Sequence, residues 1–160
     1  MNPALRQLLL GADDAKGCEM PSGLPADYRE QRASVGVIQE ELRRRLGLDL
    51  DRDGCVQDAS FYDELFVLTP EEDENRKQTG AFHHYMEFAI RFSNFGGLFT
   101  VHSCIEPIPA RYDVSAIRGI VEQHGWKYVP DDQLEVPYDG INETLKKAGI
   151  TWWTRFFDYL

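Results

Sequence analysis

The chain is poor in the features that usually announce a function. It carries only three cysteines, Cys18, Cys55 and Cys104, an odd number with no C-x-x-C pair. That speaks against a disulfide framework and against a zinc ribbon or knuckle, and makes reduced thiols in the cytoplasm the expectation. Positive charge is also scarce: 17 Lys and Arg face 27 Asp and Glu, for a formal net charge of -10. A field of that sign repels phosphate backbones and anionic lipid surfaces, which disfavours a general nucleic-acid binder and a membrane-surface protein. No apolar run approaches the length of a membrane span, and the segment Met1 to Leu10 lacks the basic leader and long apolar stretch of a signal peptide. G-x-G-x-x-G, G-x-x-x-x-G-K-[ST], G-x-S-x-G and H-E-x-x-H are all missing, so no phosphate cradle, nucleophile elbow or zincin helix is signalled.

What is present reads as an ordinary folded chain. Apolar residues make up 42% and charged residues 28% of 160 positions, enough to bury a core without staples. The expectation is a single globular domain over residues 1–160. Asn2, Pro3 and Gly11 punctuate a short opening helix carrying Leu5, Leu8 and Leu9 on one face. A longer helix is expected from about Ala26 to Leu46, where Val35, Ile38, Leu42 and Leu46 recur at helical spacing. Phe61 to Thr69 reads as a strand ended by Pro70, and the charged stretch from Glu71 to Gly80 as a mobile surface loop.

The strongest pattern is a hairpin over 82–105. The runs Phe82 to Phe92 and Leu98 to Ile105 flank Ser93-Asn-Phe-Gly-Gly97. A turn at Phe95-Gly96 sets Phe92 against Phe99, Ile90 against Val101 and Ala89 against His102, with one apolar face on both strands. Met86 joins that face. Further helices are expected over Val114 to His124, over Gly140 to Ala148 with Asp139 as cap, and from Thr151 onward. Trp126 to Val129 reads as a short strand and Pro130 to Pro137 as irregular. The fold class is α+β: an antiparallel sheet of three to four strands, a meander with the hairpin at its centre, and helices packed on one face.

Three groups of residues could carry chemistry or binding. Asp49, Asp51 and Asp53 with Gly54 resemble the front half of an EF-hand calcium loop, but Ser60 stands where the loop needs its bidentate Glu. No ion is expected there. Glu87, His102 and Cys104 share the non-core face of the hairpin, where a carboxylate, an imidazole and a thiol could form a nucleophilic or metal site. The histidines His83 and His84 point to opposite sides of a strand and cannot chelate together. Finally, Trp152, Trp153, Phe156 and Phe157 crowd the C-terminal stretch with Tyr159 and Leu160, leaving Thr154, Arg155 and Asp158 on the other side. Such a face either docks as core or serves as a partner or dimer surface.

The functional expectation is a non-catalytic cytoplasmic interaction protein without a cofactor, an acidic inhibitor or adaptor for a basic protein partner, existing as a monomer or homodimer. The alternative is a small enzyme or metal-binding protein using Glu87, His102 and Cys104.

Overall fold

A computed structural model of the chain describes residues 1–18, 20–22, 28–54, 61–80, 85–105 and 107–158. The expectations for Cys55 to Ser60, His83, His84, Tyr159 and Leu160 lie outside these residues. Helix α1 (Pro3–Ala12) begins as its sequence dictates: the Asn2 side chain accepts the Leu5 N–H, and Pro3 occupies the first turn. Helix α2 (Tyr28–Leu46) buries Val35, Ile38 and Leu42 and turns its basic last turn outward, where Arg43 pairs with Glu40 and Arg45 with Glu41.

Five strands form one sheet in the order β1-β2-β3-β4-β5: β1 (Asp51–Asp53), β2 (Phe61–Leu68), β3 (Met86–Ser93), β4 (Leu98–His102) and β5 (Lys127–Tyr128). The first four are an antiparallel meander. The β3–β4 pairing is the expected one: Phe92 faces Phe99, Ile90 faces Val101, and Ala89 faces His102. In the connecting loop Gly96 and Gly97 take φ of 63° and 61°, the left-handed region that β-branched or bulky residues avoid. A Cβ on Gly96 would also lie 2.4 Å from the Ala12 Cβ, so the turn is where α1 meets the sheet.

The sheet departs from the expected three to four antiparallel strands at both edges: β1 is an added strand in the stretch that resembles a calcium loop, and β5 is parallel. Helix α4 (Val114–Gln123), capped by Asp113, carries the chain back across the sheet, so β5 runs parallel to β4. A parallel neighbour requires such a crossover. The strand itself was expected over Trp126 to Val129, but its direction follows from the α4 crossover and not from its own residues.

Residues 70–79 form helix α3 (Pro70–Thr79) rather than a loop. No apolar face specifies it. Its ends do: Thr69 accepts the Glu72 N–H, Glu71 and Asp73 sit in the first turn, Arg76 and Lys77 in the last, and Gly80 at φ 71° closes it. Helix α5 (Glu143–Ala148) starts one turn later than expected, with Asn142 instead of Asp139 as cap. Asp139 is engaged by Arg6 and by Trp152. A short 3-10 turn, Asp131–Gln133, precedes it, and helix α6 (Trp152–Phe157) ends the described chain.

Helices cover both faces of the sheet, not one. Alternation places Leu65, Phe88, Ile90, Phe92, Phe99 and Val101 on a single face, and all six are buried against α2 and α4. The opposite face meets α6, behind which α1, Tyr138 and α5 complete a second core around Phe95, Leu98 and Val129. Both faces are therefore dry, which explains why the supposedly polar face contains buried Glu64, Ala89 and Thr100. Among the described residues no helix is long and apolar enough to cross a membrane.

Candidate functional site

The polar face of the hairpin holds a buried cluster, and of the three residues expected there only His102 belongs to it. Glu64 on β2, nearly inaccessible, accepts from the Arg91 Nε at 2.6 Å and meets the His102 Nε2 at 3.1 Å. Arg91 also donates to the Phe157 carbonyl at 2.6 Å, fastening α6 to the sheet. The Trp153 ring closes the cluster, edge-on to His102 at 5.4 Å and beneath the Arg91 guanidinium at 5.5 Å. Thr100, cross-strand from Arg91, keeps its hydroxyl fully buried without a hydrogen-bond partner.

Glu87 belongs elsewhere. Between Val67 and Leu68 the β2–β3 ladder slips by one residue, so Glu87 is the extra residue of a β-bulge. The slip sends Met86 to join Phe66, Leu68 and Ala89, away from the Phe88 face it was expected to share. It also delivers the Glu87 carboxylate to the Tyr112 hydroxyl at 2.8 Å and to Arg111. Tyr112 stacks on Phe88 at 4.7 Å. Glu87, His102 and Cys104 thus serve different partners: the first takes Tyr112 and Arg111, the second Glu64, and the third is exposed at the strand end.

Two adjacent carboxylates on β2 titrate in opposite senses. Burial disfavours ionisation of Glu64, but His102 and Arg91 outweigh it and hold the group below its ordinary value. At Asp63 burial wins over the Arg52 fork and the value is raised. The depressed Glu64 contributes stability above the unfolded Glu value of about 4.3, and that contribution is lost as pH falls through the folded value. Asp63 has the opposite sign. Its contribution is present at low pH and lost as pH rises. Glu64→Gln should therefore lower stability at neutral pH by about 1–3 kcal/mol and flatten the acid limb of the stability curve. Urea midpoints measured from neutral to acid pH check this. An acid limb as steep as the wild type's would refute the role given to Glu64.

The C-terminal aromatic face is core for the most part. Trp152, Phe156 and Phe157 are buried, and only Trp153 keeps an intermediate exposure. Arg155, expected on the outer side, is fully inaccessible. Its Nε donates to Asp13 at 2.8 Å, its other nitrogens reach the Cys18 and Asp14 carbonyls, and the guanidinium lies 4.0 Å from the Phe95 ring. The other Asp13 oxygen accepts the Tyr138 hydroxyl at 2.5 Å and the Ile141 N–H at 2.9 Å.

The aspartates of the calcium-like stretch lie on an extended segment, not a coordinating loop. Asp51 and Asp53 are in β1, opposite Phe66 and Glu64, and Asp49 precedes it. Asp49 pairs with Arg43 at 3.1 Å and Asp51 with Arg76 at 2.8 Å. Among the described residues no three His, Cys, Asp or Glu side chains converge as metal ligands do. Instead Asp49 and Asp51 line a groove of about 510 Å³ between the β1–β2 edge and α3, together with Phe66, Leu68 and Asp73.

Pairing the two strands by charge would have exposed the Glu64–Arg91 pair, because the two residues stand opposite each other on β2 and β3. No local signal marked Arg155, whose partner lies 142 positions away. Comparison with family models, curated proteins and solved structures finds no match to this chain.

Proposed function

We propose that this is a non-catalytic cytoplasmic interaction protein, an acidic inhibitor or adaptor that recognises a basic protein partner. The observation that supports the reading is the partition of charge. Four ion pairs with buried carboxylates, Asp13–Arg155, Asp63–Arg52, Glu64–Arg91 and Glu87–Arg111, remove acids and bases in equal number. The excess of -10 is therefore carried by the remaining side chains. A surface of one dominant sign steers an oppositely charged protein and speeds encounter.

The enzyme or metal reading of Glu87, His102 and Cys104 gains no support from the geometry, because a nucleophile, its base and an orienting group must lie within hydrogen-bond reach of one another.

The test is capture from native lysate on immobilised protein, at ionic strengths of about 0.05 M and 0.5 M, with mass spectrometry of what is retained. One near-stoichiometric partner of high isoelectric point, retained at low salt and weakened at high salt, is the expected result. A partner that is acidic and indifferent to salt would overturn the reading.

A further inference from the structure

We infer that the groove between α3 and the β1–β2 edge seats an extended, Lys- or Arg-bearing segment of the basic partner. The inference rests on the reading above and gives it a location.

Three features argue for this occupant. The first is shape and lining. The groove, about 510 Å³, is lined by apolar Phe66, Val67, Leu68 and Pro70, of which Val67 and Pro70 keep accessible surface, and by acidic Asp49, Asp51 and Asp73. Lys and Arg side chains suit such a site, because the aliphatic stem lies on apolar surface while the head meets a carboxylate. The second is spacing. Asp49 and Asp51 are alternate residues where the chain enters β1, and strand spacing of about 7 Å between alternate residues matches alternate side chains of a second extended chain. Strand β1 is the outermost strand of the sheet, so its edge is the natural template for such a chain.

The third feature is that the protein already places one such cation there. Arg76, projecting from α3, sets its guanidinium 2.8 Å from Asp51 with its side chain 38% exposed. Asp73 is paired with Lys77 and Asp49 with Arg43, again in exposed pairs. Exposed pairs of this kind are worth little, so they exchange readily with an incoming cation. Arg76 is then an internal competitor for the seat, and the groove has a prediction of opposite signs built into it.

The probe is a fluorescein-labelled, N-acetylated, C-amidated (Lys-Val)4 peptide, titrated by fluorescence anisotropy at low ionic strength. Wild type should bind it, with affinity falling as salt is raised. The double variant Asp51→Asn, Asp73→Asn should bind about 5- to 10-fold more weakly, and Arg76→Gln about 3-fold more tightly. A control with Asp132→Asn and Glu135→Asn, exposed acids beyond β5, should leave the affinity unchanged. Equal affinity for wild type and both groove variants would overturn the groove and leave the basic-partner reading standing. Failure of every protein to bind the peptide, with no basic partner captured from lysate, would overturn the reading itself.

Discussion

Asp13→Ala is expected to destabilise the protein by about 3–5 kcal/mol, because it strands a buried guanidinium. Arg155 and Asp13 are both at 0% side-chain exposure, so solvent cannot replace the lost partner. The same change leaves the Tyr138 hydroxyl and the Ile141 N–H without their acceptor. Burial raises the Tyr138 phenol above its ordinary value, which opposes compensation by ionising. In a chain of 160 residues the loss should appear as a fall in Tm of roughly 6–20 °C. The double variant Asp13→Ala, Arg155→Met should recover part of it, since an apolar side chain of similar length strands no charge. Thermal and urea unfolding of the two single variants and the double variant measure the coupling. Additive losses would show that the two side chains do not depend on each other.

A chain ending at Ile150 should show no cooperative thermal transition. The deletion removes Trp152, Phe156 and Phe157, each buried, together with Arg155. Trp152 stacks on Phe156 at 5.8 Å and 3°, packs edge-on to Tyr138 at 4.8 Å and donates its indole N–H to Asp139 at 3.1 Å. Phe156 meets Phe95 edge-on at 5.8 Å, which ties α6 to the hairpin loop. Losing one large aromatic from a core costs about 3–5 kcal/mol, so losing three costs about 9–15 kcal/mol, enough to consume a typical margin of about 5–15 kcal/mol. Calorimetry with a dye that reports exposed apolar surface checks this. A truncated protein with an intact transition would mean that α6 contributes nothing to the fold. Trp152→Phe, which keeps a ring in place, should be far milder and still unfold cooperatively.

How much of this was legible in advance depended on how locally each element is specified. The hairpin's faces followed from alternation, which puts Phe88, Ile90, Phe92, Phe99 and Val101 on one side, and placing the turn at Phe95-Gly96 supplied the register. The capped helices α1 and α4 were equally local. Helix α3 was misread because apolar periodicity was the criterion, and PEEDENRKQT has none. Its capping residues were visible but were given too little weight. The bulge at Glu87 depends on how β2 and β3 fit together, which neither strand reveals alone. Two sites followed the same division. The acidic residues Asp49 and Asp51 stood out by spacing, yet Asp51 lies in a strand that Asp49 leads into, not in a coordinating loop. His102 was noticed, but its partner Glu64 lay on a strand read only for its apolar residues. Arg155 was assigned outward because charged residues are rarely buried without partners. Its partner, Asp13, sits near the other end of the chain.

That distance imposes an order in time. During synthesis α1 emerges well before its partners, since Leu5 and Leu9 need the company of Leu145, Trp152 and Phe156. Those residues lie far downstream, so the helix must wait, apolar face uncovered, while the intervening strands and helices are translated. The meander of β1 to β4 and its cover of α2 can assemble meanwhile from neighbouring stretches, since their contacts are closer in sequence. Helix α1 is thus made before the sheet it packs on and is among the last elements to find its place. Through that interval the nascent chain is exposed to aggregation and open to capture by chaperones.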